Sequence, residues 1–471
     1  MVATNGVPRA GPRPSCCLMD PRSESATPIT ARSSRRRRRV DEYREPIHSS
    51  PMMGESMDGF YAIWPSLALV AFAVCVASTR PFRALDPAPG ASSGRDVNLD
   101  GLRTFLALAV FMHHMSIRRA AVLTGVVALP PSHFYAYLGS FGVSVFFMIT
   151  GYLFWGKLLD RKGKISWIDL YVHRFFRIVP LYWALMAIYI TVVLTRADGG
   201  LASAIASAWA GALKWLAFGA YPGPPPLLGD TRAMPLVGMT WTLTYEWGFY
   251  ASLLVTAFLA RTRWSGPVLA VAIALTLCTK LGLSGPVSYF ISLFLCGMLT
   301  AWMARAFPRW RGDGYVRSII AIGFVIAAVC LSDTAYSGVG VLLLGLFFLL
   351  IASGTSLFGL LRCTGAMRLG HASYSIYLLH GVVLCSFFAP SLLGGWAAGS
   401  VIRYWCLGAV TTMALVVIAS LSYLGIERPG IALGRRLLGR RTDDTGMHGH
   451  APSLVRTRPR PPIPPPETPP A

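Results

Sequence analysis

Charge is scarce in this sequence, and acidic charge most of all. Only 14% of the 471 residues are charged, with 21 Asp and Glu against 43 Lys and Arg, whereas a typical soluble domain carries about 25% charge. With 54% apolar residues and a mean hydropathy of +0.52, that scarcity excludes a soluble domain with one hydrophobic core, because so much apolar surface needs lipid. Alternation of apolar and polar residues is missing, so strands do not compete with helices. The nine cysteines form no C-x-x-C pair and have no histidine at ligand spacing, and Cys75, Cys278, Cys296, Cys330, Cys385 and Cys406 sit inside apolar runs. They read as small core residues, and no metal site is expected. No repeat relates the two halves, which weakens a transporter reading.

What is present is a series of apolar runs from Phe60 almost to Tyr423, many of them reaching the roughly 20 residues that cross a bilayer as helix. The fold class expected is all-α, a polytopic transmembrane helix bundle. Its ten core helices are placed near 101–117, 135–155, 178–195, 242–260, 267–283, 288–304, 318–331, 338–352, 373–389 and 405–424, with an extra helix at Phe60 to Ser78. Ala204 to Tyr221, followed by a Pro-rich run, reads as a re-entrant or interfacial piece. Four segments follow: a disordered basic tail at 1–56, the extra helix and linker at 57–97, the membrane domain at 98–429 and a basic, Pro-rich tail at 430–471.

The net charge of +22 raises nucleic acid as a partner, but the basic residues fall in the tails and in the loops between apolar runs, where membrane orientation accounts for them. Counting Lys and Arg on alternate loops puts Lys157 to Arg177, Arg261, Arg263, Arg305 to Arg317, Arg362, Arg368 and the C-terminus on one side, which the positive-inside rule makes cytoplasmic. The sparsely charged opposite side holds Arg118, Arg119, Arg196, Lys214, Arg232 and Arg403. The extra helix would then place Arg35 to Arg39 outside, a tension that translation starting near Met57 would remove.

An ionisable side chain at mid-bilayer costs about 2.5–3.5 kcal/mol on insertion scales, so such residues are functional suspects. Arg103 and His114 lie eleven residues apart, about three helical turns and roughly 16 Å, on one face. A fixed cation at the rim in line with a deeper imidazole suits a long ligand with an anionic head and a reactive far end. The bland reading is a snorkelling arginine and a hydrogen-bonded histidine. His113, about 100° around the helix, cannot face the same site equally. Arg174 and Arg177 form a fork one turn apart, suited to phosphate, and Pro180 is placed in the first turn of their helix. Trp241 to Tyr250 brings Glu246 near a helix end, with Arg103, His114 or a substrate hydroxyl as partner. Further candidates are Thr150 to Leu153, Ser373 to His380 and the Glu427-Arg428 pair, which reads as a helix cap.

In this order the stretches resemble the acyltransferase 3 family of multi-pass membrane O-acyltransferases, over about Asn98 to Pro429. The family's Arg, ten residues and His is similar to Arg103 to His114, its paired arginines before Ile-x-Pro to Arg174 and Arg177, and its Trp-Ser/Thr-Leu-x-x-Glu to Trp241 to Glu246. Thr150 stands where many relatives have Ser, and Trp247 where a second carboxylate is often found. The resemblance implies transfer of an acyl group, expected to be acetyl, from acyl-coenzyme A to a sugar hydroxyl, with no permanently bound cofactor and with the saccharide acceptor and the bilayer as partners. The chemistry of the residues then gives donor phosphates to Arg103, Arg174 and Arg177 and the general base to His114, with Glu246 orienting the imidazole or binding the sugar; acceptor binding is expected at Tyr152, Trp241 and Tyr374, and the location is the cell inner membrane. Direct attack and an acyl-histidine route both stay open. The competing readings are a secondary transporter of sugar- or lipid-linked substrates and a non-catalytic membrane subunit.

Overall fold

The computed structural model describes residues 57–87, 96–198, 200–279 and 287–444. The tails expected at 1–56 and beyond 444, with Arg35 to Arg39, lie outside the described residues. Every regular element among the described residues is helical, as the apolar runs predict. The helices are α1 (Ile63–Ser78), α2 (Val97–Thr124), α3 (His133–Asp160), α4 (Trp167–Arg196), α5 (Leu201–Leu216), α6 (Trp241–Thr256), α7 (Ser265–Thr279), α8 (Val287–Ala306), α9 (Tyr315–Leu331), α10 (Gly338–Ala352), α11 (Thr364–His371), α12 (Ser373–Phe387), α13 (Val401–Ser422) and α14 (Arg428–Asp444). Among the described residues, five are long and apolar enough to cross a membrane, and six crossings result if the bent pair Ser373–Phe387 and Pro390–Ala398 is one. Shorter apolar helices, α1, α7, α9 and α10 among them, complete the bundle of a multi-pass membrane protein.

Helix ends follow local chemistry. The Asp96 carboxylate accepts from the Asn98 and Leu99 amides to start α2, which stops at Gly125 in the left-handed region (φ 71°). At the heart of the bundle α3 lies against α8, and here two glycines are required. A Cβ on Gly151 would strike the Phe294 carbonyl, and one on Gly297 the Met148 carbonyl. Gly151 of the Thr-Gly-Tyr-Leu stretch is therefore a helix-packing residue.

The basic residues of alternate loops meet at one end. Arg305 forks onto Asp160 through two 2.7 Å bonds, and Arg362 donates to Asn98 (2.8 Å) and pairs with Asp313 (3.0 Å). Arg368 holds Asp86 in a fork at 2.8 and 2.9 Å, and its third nitrogen donates to the Ala77, Ser78 and Thr79 carbonyls at the end of α1.

Two expectations change. Helix α4 starts at Trp167, eleven residues before the expected 178, because Ser166 caps it by accepting from the Asp169 amide. Arg174 and Arg177 thus lie within the helix, and Pro180 is interior to it. A proline there leaves the Phe176 carbonyl without its helical donor, and Gly430 of α14 approaches that carbonyl closely. The stretch 430–444, expected as disordered tail, belongs to α14, which continues α13 through a π-helical turn at Tyr423–Glu427.

Candidate active site

Helices α2, α3, α4, α6 and α12 enclose a cavity of about 90 Å³ near the basic end, lined by Arg103, Thr150, Arg174, Arg177, Glu246 and Tyr374. Arg103 bonds Asp100, one turn back on its helix, at 3.4 Å. Arg174 lies over the rings of Phe154 (4.2 Å) and Tyr250 (5.5 Å), a contact that positions a guanidinium without consuming its donors. The Tyr250 hydroxyl donates to Glu246 at 2.9 Å, so the carboxylate and Arg174 are joined through one phenol. Tyr374 donates to the Ile178 carbonyl at 2.9 Å, fastening α12 to the arginine-bearing turn of α4.

Behind Arg177 sits a carboxylate whose expected role was helix capping. Glu427 is 1% exposed, pairs with Arg177 at 3.8 Å and accepts from the Ser375 hydroxyl at 3.1 Å. It ends the π-helical turn, a distortion that often marks functional positions. Tyr377 and Thr242 also line the cavity; their hydroxyls are 3.1 Å apart, and Tyr377 lies 3.1 Å from the Met239 carbonyl. Thr242 lies inside the Trp241 to Glu246 motif and Tyr377 inside the Ser373 to His380 stretch, which is the signal that could have found them.

His114 does not line this cavity, contrary to the expectation that it and Arg103 share one. Three helical turns beyond Arg103, it meets His380 with ring centroids 4.8 Å apart. It is half-buried, with the rings of His113 and His380 on either side. Its Nδ1 is 2.9 Å from the Val110 carbonyl, and the Nδ1 of fully buried His380 is 2.6 Å from the Tyr377 carbonyl. A carbonyl only accepts, so each neutral ring carries its hydrogen on Nδ1 and leaves a lone pair on Nε2. The Nε2 of His380 is buried with no hydrogen-bond partner. His113 has a different job: its Nδ1 is 2.7 Å from the Tyr135 carbonyl and its ring lies against Gly139 of α3.

Tyr152 and Trp241 also lie elsewhere. Two residues along a helix turn the side chain about 200°, so Tyr152 faces away from Thr150 into a basin lined by Asp96, Lys157 and Arg305. Trp241 packs on Phe290 (5.3 Å) and Tyr245 (5.7 Å) and borders a separate small cavity with Tyr182 and Trp215. Trp247, standing where a second carboxylate is expected in relatives, donates to the Phe218 carbonyl at 2.9 Å and anchors a loop.

Residues 96–421 match the family described as acyltransferase domain. The chain is similar to the exopolysaccharide production protein ExoZ of Rhizobium meliloti (strain 1021), 28% identical over 63% of this chain and 91% of the relative. It is also similar to the acyltransferase MdmB of Streptomyces mycarofaciens, at 26% over 76% and 97% of the two chains. Nodulation protein 10 of Rhizobium leguminosarum bv. viciae is 24% identical over 76% and 99%. No solved structure matches.

Proposed function

Because this chain belongs to the acyltransferase domain family, we propose that it moves an acyl group, acetyl in the simplest case, from an acyl-coenzyme A to a hydroxyl of a cell-surface or lipid-linked saccharide. The observation that carries this reading is the gathering of Arg103, Arg174 and Arg177 around one interior cavity. Guanidinium groups bind phosphate through charge-assisted, often paired bonds. The donor's phosphates sit at the basic end, which the positive-inside rule makes cytoplasmic together with the C-terminus, in a bacterial inner membrane. A relative named for exopolysaccharide production supports a saccharide acceptor.

The chemistry then falls to His114. As the acceptor oxygen attacks the thioester carbonyl, its proton passes to the free Nε2 of His114. The carbon–sulfur bond breaks as the ester bond forms, and the proton leaves with the thiolate. The unpartnered Nε2 of His380 stands ready to accept a hydrogen bond from the transient imidazolium. Glu246, fixed by Tyr250, lines the path of the bound donor between the arginines and the histidine pair.

The test is incubation of membranes with labelled acetyl-coenzyme A and total cell glycans. Label should enter glycan with the unaltered protein and fall by about 10²–10⁴-fold in His114→Ala, the usual worth of a general base, at equal protein abundance. Undiminished transfer by His114→Ala removes the catalytic assignment.

A further inference from the structure

Most arginines at the basic end of the bundle are paired. Arg305 is held by Asp160, Arg362 by Asp313 and Arg368 by Asp86, while Arg174 and Arg177 border the cavity. Helix α14 is different. Its Arg435 and Arg436 stand exposed, and no hydrogen bond or ion pair reaches either of them among the described residues. From Arg428 to Arg441 the chain carries five arginines and no acidic residue at all.

Charge that serves only to orient a membrane protein needs no ordered helix to carry it. This run is nevertheless helical, and it is seated: Gly430 and Gly434 let it close on the carbonyl and side chain of Phe176, and Arg428 at its start donates to the Ala84 carbonyl at 3.1 Å. Because α14 follows α13 through the π-helical turn, it begins where an apolar crossing ends, at the bilayer surface.

Leu433 and Leu437, one turn apart on α14, are 48% and 44% exposed. At about 100° per residue they lie between the face seated on α4 and the side that carries Arg436. The sequence of surfaces around the helix is therefore protein, apolar, cationic. A helix resting against a bundle at headgroup level has that order, its leucines toward acyl chains and its arginines among phosphates. A stable protein interface buries about 800 Å² per partner, which two half-exposed leucines do not approach.

We propose that α14 is a docking surface for anionic phospholipids in the leaflet at the basic end, with headgroup phosphates taken by Arg435 and Arg436 and acyl chains covering Leu433 and Leu437. Clusters of about four to eight basic residues just beyond a membrane crossing attract acidic lipid in this way. Lipid held there touches the helix seated on the turn that carries Arg174 and Arg177. The proposal rests on α14 alone and not on the acyltransfer reading.

The test titrates the purified full chain in detergent with phosphatidylglycerol or phosphatidylcholine and counts bound lipid by native mass spectrometry. Phosphatidylglycerol should bind the more tightly. Replacing Arg435 and Arg436 together by Gln should raise its Kd about tenfold or more and leave that of phosphatidylcholine where it was. Replacing Leu433 and Leu437 together by Ser should raise both constants about tenfold, since the lost contact is with acyl chains common to the two lipids. Arg309→Gln, at an exposed arginine of a loop on the same side, should change neither. Equal binding of the two lipids, an unmoved Kd in either double variant, or a loss of preference in Arg309→Gln as large as in the arginine pair overturns the proposal. Each readout is a lipid affinity, so failure here leaves the proposed activity standing, and failure of acyl transfer leaves this surface standing.

Discussion

Two sets of arginines stand at the same end of this bundle and behave differently. Arg368 makes five hydrogen bonds, two to Asp86 and three to the last carbonyls of α1, and its side chain is 6% exposed. Arg174 lies over two aromatic rings, and Arg177 stands off Glu427 at 3.8 Å; both border a cavity. The same residue type is a bolt in one place and an outstretched hand in the other. Positive-inside counting treats them alike, since it registers charge and not what the charge touches.

The comparison breaks most sharply at the cavity proposed to bind the donor. Replacing Arg174 and Arg177 together by Ala should raise the KM for acetyl-coenzyme A by about 150-fold or more, two charge-assisted bonds at about 1.5–3 kcal/mol each, measured by steady-state kinetics on the purified protein. An unchanged donor KM would make them anchors like Arg368. Arg368→Ala should do the reverse, leaving the donor KM where it was and costing about 2 kcal/mol of stability, because three helix-end carbonyls lose their donor; a lowered Tm in detergent reads it. A subtler contrast comes from acid. Arg368 holds the Asp86 carboxyl below the usual carboxylate range, and a depressed folded-state value adds stability above the unfolded value that is lost as pH falls through the folded one. The Tm difference between the unaltered protein and Asp86→Asn should therefore be present at pH 7 and shrink below pH of about 4. It should be small, since the Asp86 side chain is 48% exposed.

Much of the architecture could be read ahead of the structure because lipid makes hydrophobicity a direct signal: each of the ten expected core stretches overlaps a helix among the described residues, and so does the extra one. The start of α4 was hidden because Trp167 to Arg177 carries His, Arg and Asp and so breaks the apolar run, although Ser166 three residues before Asp169 is a capping signal. Within the site, residues on one helix could be related by rotation alone, which linked Arg103 to His114 and separated His113. Contacts between helices could not. Nothing in the spacing brings His380 onto His114 or Glu427 behind Arg177.

Helix α14 gives the arginine pair an unexpected dependence. Gly430 and Gly434 seat it on the carbonyl and ring of Phe176, in the very turn that presents Arg174 and Arg177, and Glu427 at its root sits behind Arg177. Cutting the chain just after Ser422 would spare every apolar crossing and still unbrace the turn that carries Arg174 and Arg177, so insertion into the bilayer and competence for catalysis should part company at that point.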